Sequence, residues 1–98
     1  MLTVDREIKI NRKALDTWGD ERQIDKMIEE MAELTVALAH WREPGARGET
    51  TEVRLDHVRE EMADVQIMLN QMQLLFGSCR EWQEKKLHKL ARRLGMEE

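Results

Sequence analysis

From Leu55 to Phe76 the apolar side chains recur in steps of three and four: Leu55, Val58, Met62, Val65, Leu69, Met72 and Phe76. That period lays them along one stripe of a long α-helix and calls for other helices to cover it. A second stretch has helical spacing too, through Ile24, Met27, Ile28, Met31, Leu34, Leu38 and Trp41. No alternating run bounded by turn signals suggests a strand. The pattern predicts an all-α fold, an antiparallel helical bundle of two long and two shorter helices.

Capping residues and glycines set the expected helix ends. Thr3 caps a first helix that ends near Trp18, and Gly19 suits a left-handed C-terminal position. Asp20 followed by Gln23 reads as a capping box for the second helix, which runs to about Arg42. The stretch from Glu43 to Gly48 is a loop, because Pro44 disfavours helix at the residue before it and Gly45 and Gly48 permit a turn. Thr50 or Thr51 caps the third helix and Gly77 ends it. Ser78 with Glu81 reads as another capping box, opening a last helix to about Leu94. Leu87, Leu90, Ala91 and Leu94 mark one side of that helix, with Lys85, Lys86, Lys89, Arg92 and Arg93 on the other.

The chain has 98 residues, which fits a single domain over 1–98. A domain of this size buries a modest share of its surface, so a homodimer or homotetramer is expected to complete the bundle. The net charge of -4 argues against a nucleic-acid polymer as partner, since that binding needs a basic surface. The lone Cys79 excludes an internal disulfide framework and fits a reducing compartment. No apolar run approaches the roughly 20 residues of a membrane span. The first ten residues carry charge where a signal peptide needs apolar side chains. A cytoplasmic location without membrane contact is the expectation.

The chemistry lies in the acids. The second helix carries Glu29-Glu30-Met31-Ala32-Glu33 and the third Glu60-Glu61-Met62-Ala63-Asp64. Residues three apart share a helix face, so Glu30 pairs with Glu33 and Glu61 with Asp64. Antiparallel packing would let the pairs face each other, and four like charges so close require neutralisation. Hard divalent cations take oxygen ligands, and magnesium commonly bridges to substrate phosphates. In an acid-rich chain a single such pair is ordinarily a solvated face. Two near-identical patterns, each with an alanine before its last acid, carry more weight. A polar stripe extends them: Gln23, Lys26, Glu30 and Glu33 on one helix, His57, Glu61, Asp64 and Gln71 on the other. A di-iron bundle would need Glu-x-x-His, and His40, His57 and His88 follow Ala37, Arg54 and Lys85 at that spacing. The ligand cluster of a zinc site is missing as well.

These residues resemble the signature of the MazG-like all-α nucleoside triphosphate pyrophosphohydrolases: Glu29-Glu30-x-x-Glu33, then Glu61-x-x-Asp64, with an intervening gap toward the long end of that family's range. Gln23, Lys26, Arg42, the run Ala63-Asp64-Val65-Gln66-Ile67-Met68-Leu69 and the closing Lys86-Leu87…Arg93-Leu94 look like the short single-domain members found in phages and bacteria. The resemblance covers roughly Trp18 to Leu94.

It implies a magnesium-dependent hydrolase, with manganese as a possible substitute, that cleaves a nucleoside triphosphate to the monophosphate and pyrophosphate. Glu30, Glu33, Glu61 and Asp64 would be the metal ligands. Glu29 would handle the attacking water, with Glu60 a weaker candidate. Lys86 and Arg93 would meet phosphate charge. Gln23 and Lys26 would contact sugar, base or phosphate, and Trp18 would stack on the base. Each basic or aromatic residue also has an ordinary structural use, as a solvated cation or a core ring. Two alternatives stay open: a non-enzymatic helical interaction or regulatory dimer with solvated acids, and a relative that binds nucleotides without cleaving them.

Overall fold

A computed structural model describes residues 1–43 and 48–96, and positions 44–47 of the loop expected from Glu43 to Gly48 lie outside the described residues. The described residues form four helices and no strand: α1 (Val4–Trp18), α2 (Asp20–Arg42), α3 (Thr51–Phe76) and α4 (Arg80–Arg93). Their lengths follow from local signals. The Thr3 hydroxyl accepts from the Arg6 amide at 3.1 Å and the Thr50 hydroxyl from the Val53 amide at 3.2 Å. Each satisfies a donor that a helix start leaves unpaired.

Two expected capping boxes do not form. Gly19, not Asp20, occupies the cap of α2, and no side chain caps that end. Gly19 has φ 90°, a backbone that suits glycine. Its amide closes α1 on the Leu15 carbonyl at 2.9 Å, while its carbonyl accepts from the Gln23 amide at 3.2 Å. One residue thus joins both helices, and the Gln23 side chain is drawn across the interface instead. At α4 the cap is Cys79. Its amide donates to Gln73 Oε1 at 3.2 Å, and Ser78 Oγ accepts from the Arg80 amide at 3.1 Å. Glu81 pairs forward with Lys85 at 3.5 Å rather than back to the cap.

α2 and α3 make the main packing surface, and α1 lies against both. Partner numbers on α3 fall as those on α2 rise: Gln23 bonds Gln71, Glu30 and Glu33 meet Glu61, and the Trp41 carbonyl accepts from Arg54. The buried positions of α2 are Gln23, Met27, Glu30 and Ala37, spaced four, three and seven apart. Those of α3 are Val58, Met68 and Gln71. The face of α3 in contact is therefore rotated from the apolar stripe. Val58 is buried and Leu55, Val65 and Met72 half-buried, but Met62, Leu69 and Phe76 face out. Glu30 and Gln71 take interior places that hydrocarbon would normally fill. Ala37 sits in the interface, whereas Ala32 and Ala63, the alanines before the last acid of each pattern, are exposed.

α4 packs against no other helix, and Trp82, Leu87, Leu90 and Leu94 are exposed. The accessible surface is 8162 Å², against about 5,800 Å² expected for a folded monomer of this mass. The radius of gyration is 16.9 Å, where about 13 Å is usual for this length. No helix is long and apolar enough to cross a membrane among the described residues.

Candidate metal and nucleotide site

The face shared by α2 and α3 gathers three carboxylates. Oxygens of Glu30, Glu33 and Glu61 lie within 4.8 Å of one another. Glu30 and Glu33 come together because three residues of α2 make nearly one turn. Glu61 reaches them from α3. Glu30 is 5% exposed. Its Oε1 is 3.0 Å from Lys26 Nζ, one turn earlier on the same helix. Glu61 is arranged likewise, with Oε1 3.5 Å from His57 Nε2. In both residues the other oxygen, Oε2, is buried without a hydrogen-bond partner among the described residues.

A buried carboxylate oxygen left bare costs more than an exposed one, because water is lost and nothing replaces it. The charges act on one another accordingly. Negative charge on Glu30 raises the Glu33 carboxyl above its ordinary value, with desolvation and the charge of Glu61 adding to it. Lys26 is raised too, first by its hydrogen bond to Glu30 and then by the charge of Glu29.

Asp64 is half-buried one turn along α3 from Glu61, and it is not part of the three-carboxylate cluster. It lines an adjoining cleft of about 510 Å³ with Trp18, Arg22, Gln23, Lys26, Glu29 and Glu30. Glu29 also borders a second cleft, of about 460 Å³, with Glu33, His57 and Glu61. The cluster therefore opens on two sides, and Glu29 stands at the edge of both.

No family model matches the chain, and no curated protein or solved structure matches it either. The site must be read from its own groups.

Of the residues singled out in the sequence, Trp18, Gln23, Lys26, Glu29, Glu30 and Asp64 line one cleft, and Glu33 and Glu61 complete the acidic cluster beside it. Lys86 and Arg93 are not brought there; both lie on α4, which touches no other helix. Glu60 is exposed. The other two tryptophans lie under cations: Arg54 is 5.4 Å from the Trp41 ring centroid, and Lys85 is 5.0 Å from that of Trp82. Trp18 is instead a half-exposed wall of the cleft.

Sequence reasoning missed Arg22 and Asn11. Arg22 lies one turn before Lys26 and adds a second cation to the cleft. Asn11 is buried and accepts from Gln71 Nε2 at 3.1 Å. It falls between Ile8 and Leu15 at steps of three and four, a polar residue in an apolar stripe, and that interruption was its visible signal.

The donor set suits a hard divalent ion. Magnesium holds oxygens at about 2.1 Å, so two ligands on opposite sides stand about 4.2 Å apart. Neighbouring ligands of such an ion stand only about 3.0 Å apart, so three carboxylates within 4.8 Å of one another would draw closer around it, and Glu30 Oε2 and Glu61 Oε2 supply acceptors with no partner among the described residues.

Proposed function

We propose that this chain is a magnesium-dependent nucleoside triphosphate pyrophosphohydrolase of the MazG-like type, releasing a nucleoside monophosphate and pyrophosphate. The observation that carries the reading is the convergence of Glu30, Glu33 and Glu61, with two buried carboxylate oxygens lacking partners among the described residues, beside a cleft lined by cations and an indole. Glu30, Glu33 and Glu61 would hold the ion, with Asp64 joining from the neighbouring turn of α3; manganese suits the same oxygens. When bound, such an ion polarises phosphate oxygens and acidifies water.

The chain's own residues do the rest. Lys26 and Arg22 offer positive charge where a triphosphate must lie against acids. Trp18 offers a flat apolar face for a base. Glu29, exposed at the rim of both clefts, accepts a proton from the attacking water. Water adds at phosphorus, the anhydride between the α and β phosphates breaks, and pyrophosphate leaves.

A self-association accompanies this reading, with two long antiparallel helices per chain completed by a second copy. The accessible surface exceeds that of an ordinary folded monomer by roughly 2,300 Å², and a stable interface takes about 600–1,000 Å² from each partner. Lys86 and Arg93 on the unpacked α4 would then reach a site through the assembly. The same surplus favours the second reading, a non-enzymatic helical interaction dimer, in which magnesium has no effect.

The deciding experiment is a panel of canonical and modified triphosphates with magnesium. Pyrophosphate release that disappears in Glu33→Ala and Asp64→Ala supports the enzyme. A folded, dimeric protein that turns over no nucleotide favours the interaction module.

A further inference from the structure

Three buried amides form a chain across three helices. Gln23 Nε2 donates to Gln71 Oε1 at 2.7 Å, and Gln71 Nε2 donates to Asn11 Oδ1 at 3.1 Å. Gln23 and Gln71 are each 4% exposed and Asn11 7%. Amides buried this far must be bonded to be tolerated, and a fully bonded set specifies one arrangement of its members. One end of the chain meets the cleft, because Gln23 and Gln71 line it beside Trp18 and Lys26. Asn11 does not line that cleft; it borders grooves on the flanks of α1.

Such a chain has a sense. Each link uses the amino group of one amide and the oxygen of the next, so turning one amide over requires turning all three. In the present sense Gln23 commits its amino group inward to Gln71. Among the described residues no side chain donates to its Oε1.

We propose that the Asn11–Gln71–Gln23 chain holds Gln23 with its carbonyl oxygen available to the cleft, so that the site selects nucleobases bearing an exocyclic amino group over counterparts with a carbonyl there. Cytosine is preferred to uracil, and adenine to hypoxanthine. The inference rests on the nucleotide reading above. A carbonyl oxygen accepts from an amino N–H and repels another carbonyl. Stacking on Trp18 treats the members of each pair nearly alike, since every base has a π-face. Discrimination therefore falls to Gln23. Asn11 is a positioning residue that acts through Gln71: its oxygen accepts from the Gln71 amino group, which leaves the Gln71 oxygen to accept from Gln23.

The test uses neutral nucleosides, which need no metal. Cytidine against uridine, and adenosine against inosine, are titrated by NMR while the Trp18 indole resonance is followed. The amino-bearing member of each pair is expected to bind about tenfold tighter, the worth of one hydrogen bond gained and one repulsion avoided. Asn11→Leu removes the far anchor without touching the cleft and should bring each ratio to within about threefold. Asn11→Asp, which can only accept, should restore the preference. Gln23→Met should abolish it and remains informative where Asn11→Leu does not fold. Equal binding by the wild type, a preference for the carbonyl members, or a folded Asn11→Leu protein with the wild-type ratio each overturns the proposal. Triphosphate turnover is measured separately. Selective nucleoside binding without turnover removes the hydrolase and leaves the base reader, whereas turnover with no selectivity does the reverse.

Discussion

Lys26 Nζ lies 3.0 Å from Glu30 Oε1, one helical turn away, while Glu30 Oε2 is buried with no partner among the described residues. One cation thus satisfies one oxygen of a carboxylate that is clustered with Glu33 and Glu61. The balance of charge in this site turns on that division, because a single lysine cannot neutralise three acids.

Magnesium is expected to stabilise the fold. An ion bound only by the native state adds about 2.7 kcal/mol at a hundredfold excess over Kd, which in a domain of this size raises Tm by on the order of 10 °C. Scanning calorimetry with and without magnesium checks this. Glu61→Ala should remove most of the shift, because it takes away the ligand that joins α3 to α2. An identical shift in that variant would place the ion elsewhere.

Replacing Lys26 separates its two tasks. Lys26→Met should lower the Tm of the metal-free protein, because buried Glu30 loses its counter-charge. The magnesium-induced shift should grow, since the ion then meets a less compensated cluster. kcat/KM for a triphosphate should fall, while pyrophosphate release stays metal-dependent. Thermal melts and steady-state kinetics on one preparation read all three.

Glu33 gives the site a pH dependence. Its carboxyl is raised in the folded state, first by Glu30, then by desolvation and Glu61. A raised acid binds its proton more tightly when folded, so its stabilising contribution is present below the unfolded value and is lost as pH rises through the folded one. Metal-free stability should therefore decline as pH climbs from the ordinary carboxylate range through the raised value. Magnesium affinity should climb over the same window, because binding requires the ionised form. Lys26 and Glu29 on α2 and His57 on α3 also face this cluster. The comparison is thus wild type against Glu33→Gln, and melts across pH 4 to 8 should show the slope weakened in the variant.

The amide chain has a stability signature of its own. Gln71→Leu leaves Gln23 and Asn11 without their shared partner and should cost about 1–3 kcal/mol for each group that water cannot reach. Adding Gln23→Met to it should recover part of that loss, because an apolar pair replaces a broken polar one. Urea denaturation of the single and double variants gives both numbers.

Self-association should depend on apolar residues that the single chain leaves uncovered. Leu69 and Phe76 on α3 and Leu90 on α4 are exposed. Sedimentation at micromolar concentration is expected to give a dimer or tetramer. Leu69→Glu or Phe76→Glu should shift it toward monomer, since either change buries a charge at the interface.

Some of this architecture was legible residue by residue. Thr3 and Thr50 marked two helix starts because a hydroxyl at that place bonds an amide three residues on, a local event. Gly19 and Gly77 marked breaks because a positive φ favours glycine. The capping boxes at Asp20 and Ser78 failed where other partners competed: Gln71 for the Gln23 side chain, Lys85 for Glu81. The stripe from Leu55 to Phe76 correctly announced a helix but misjudged its packed face, since Gln71 is buried and Phe76 is not.

The sequence by itself determined four helices and which acids share a turn, because helical hydrogen bonds and side-chain spacing involve residues only three or four apart. It could not decide which helix faces meet. Tertiary packing set Glu61 against Glu30 and Glu33, left Asp64 in the adjoining cleft, linked Asn11 through Gln71 to Gln23, and kept α4 with Lys86 and Arg93 away from the site. Each of those outcomes depends on contacts between residues far apart in the chain, and so on the summed burial of whole faces rather than on any local rule.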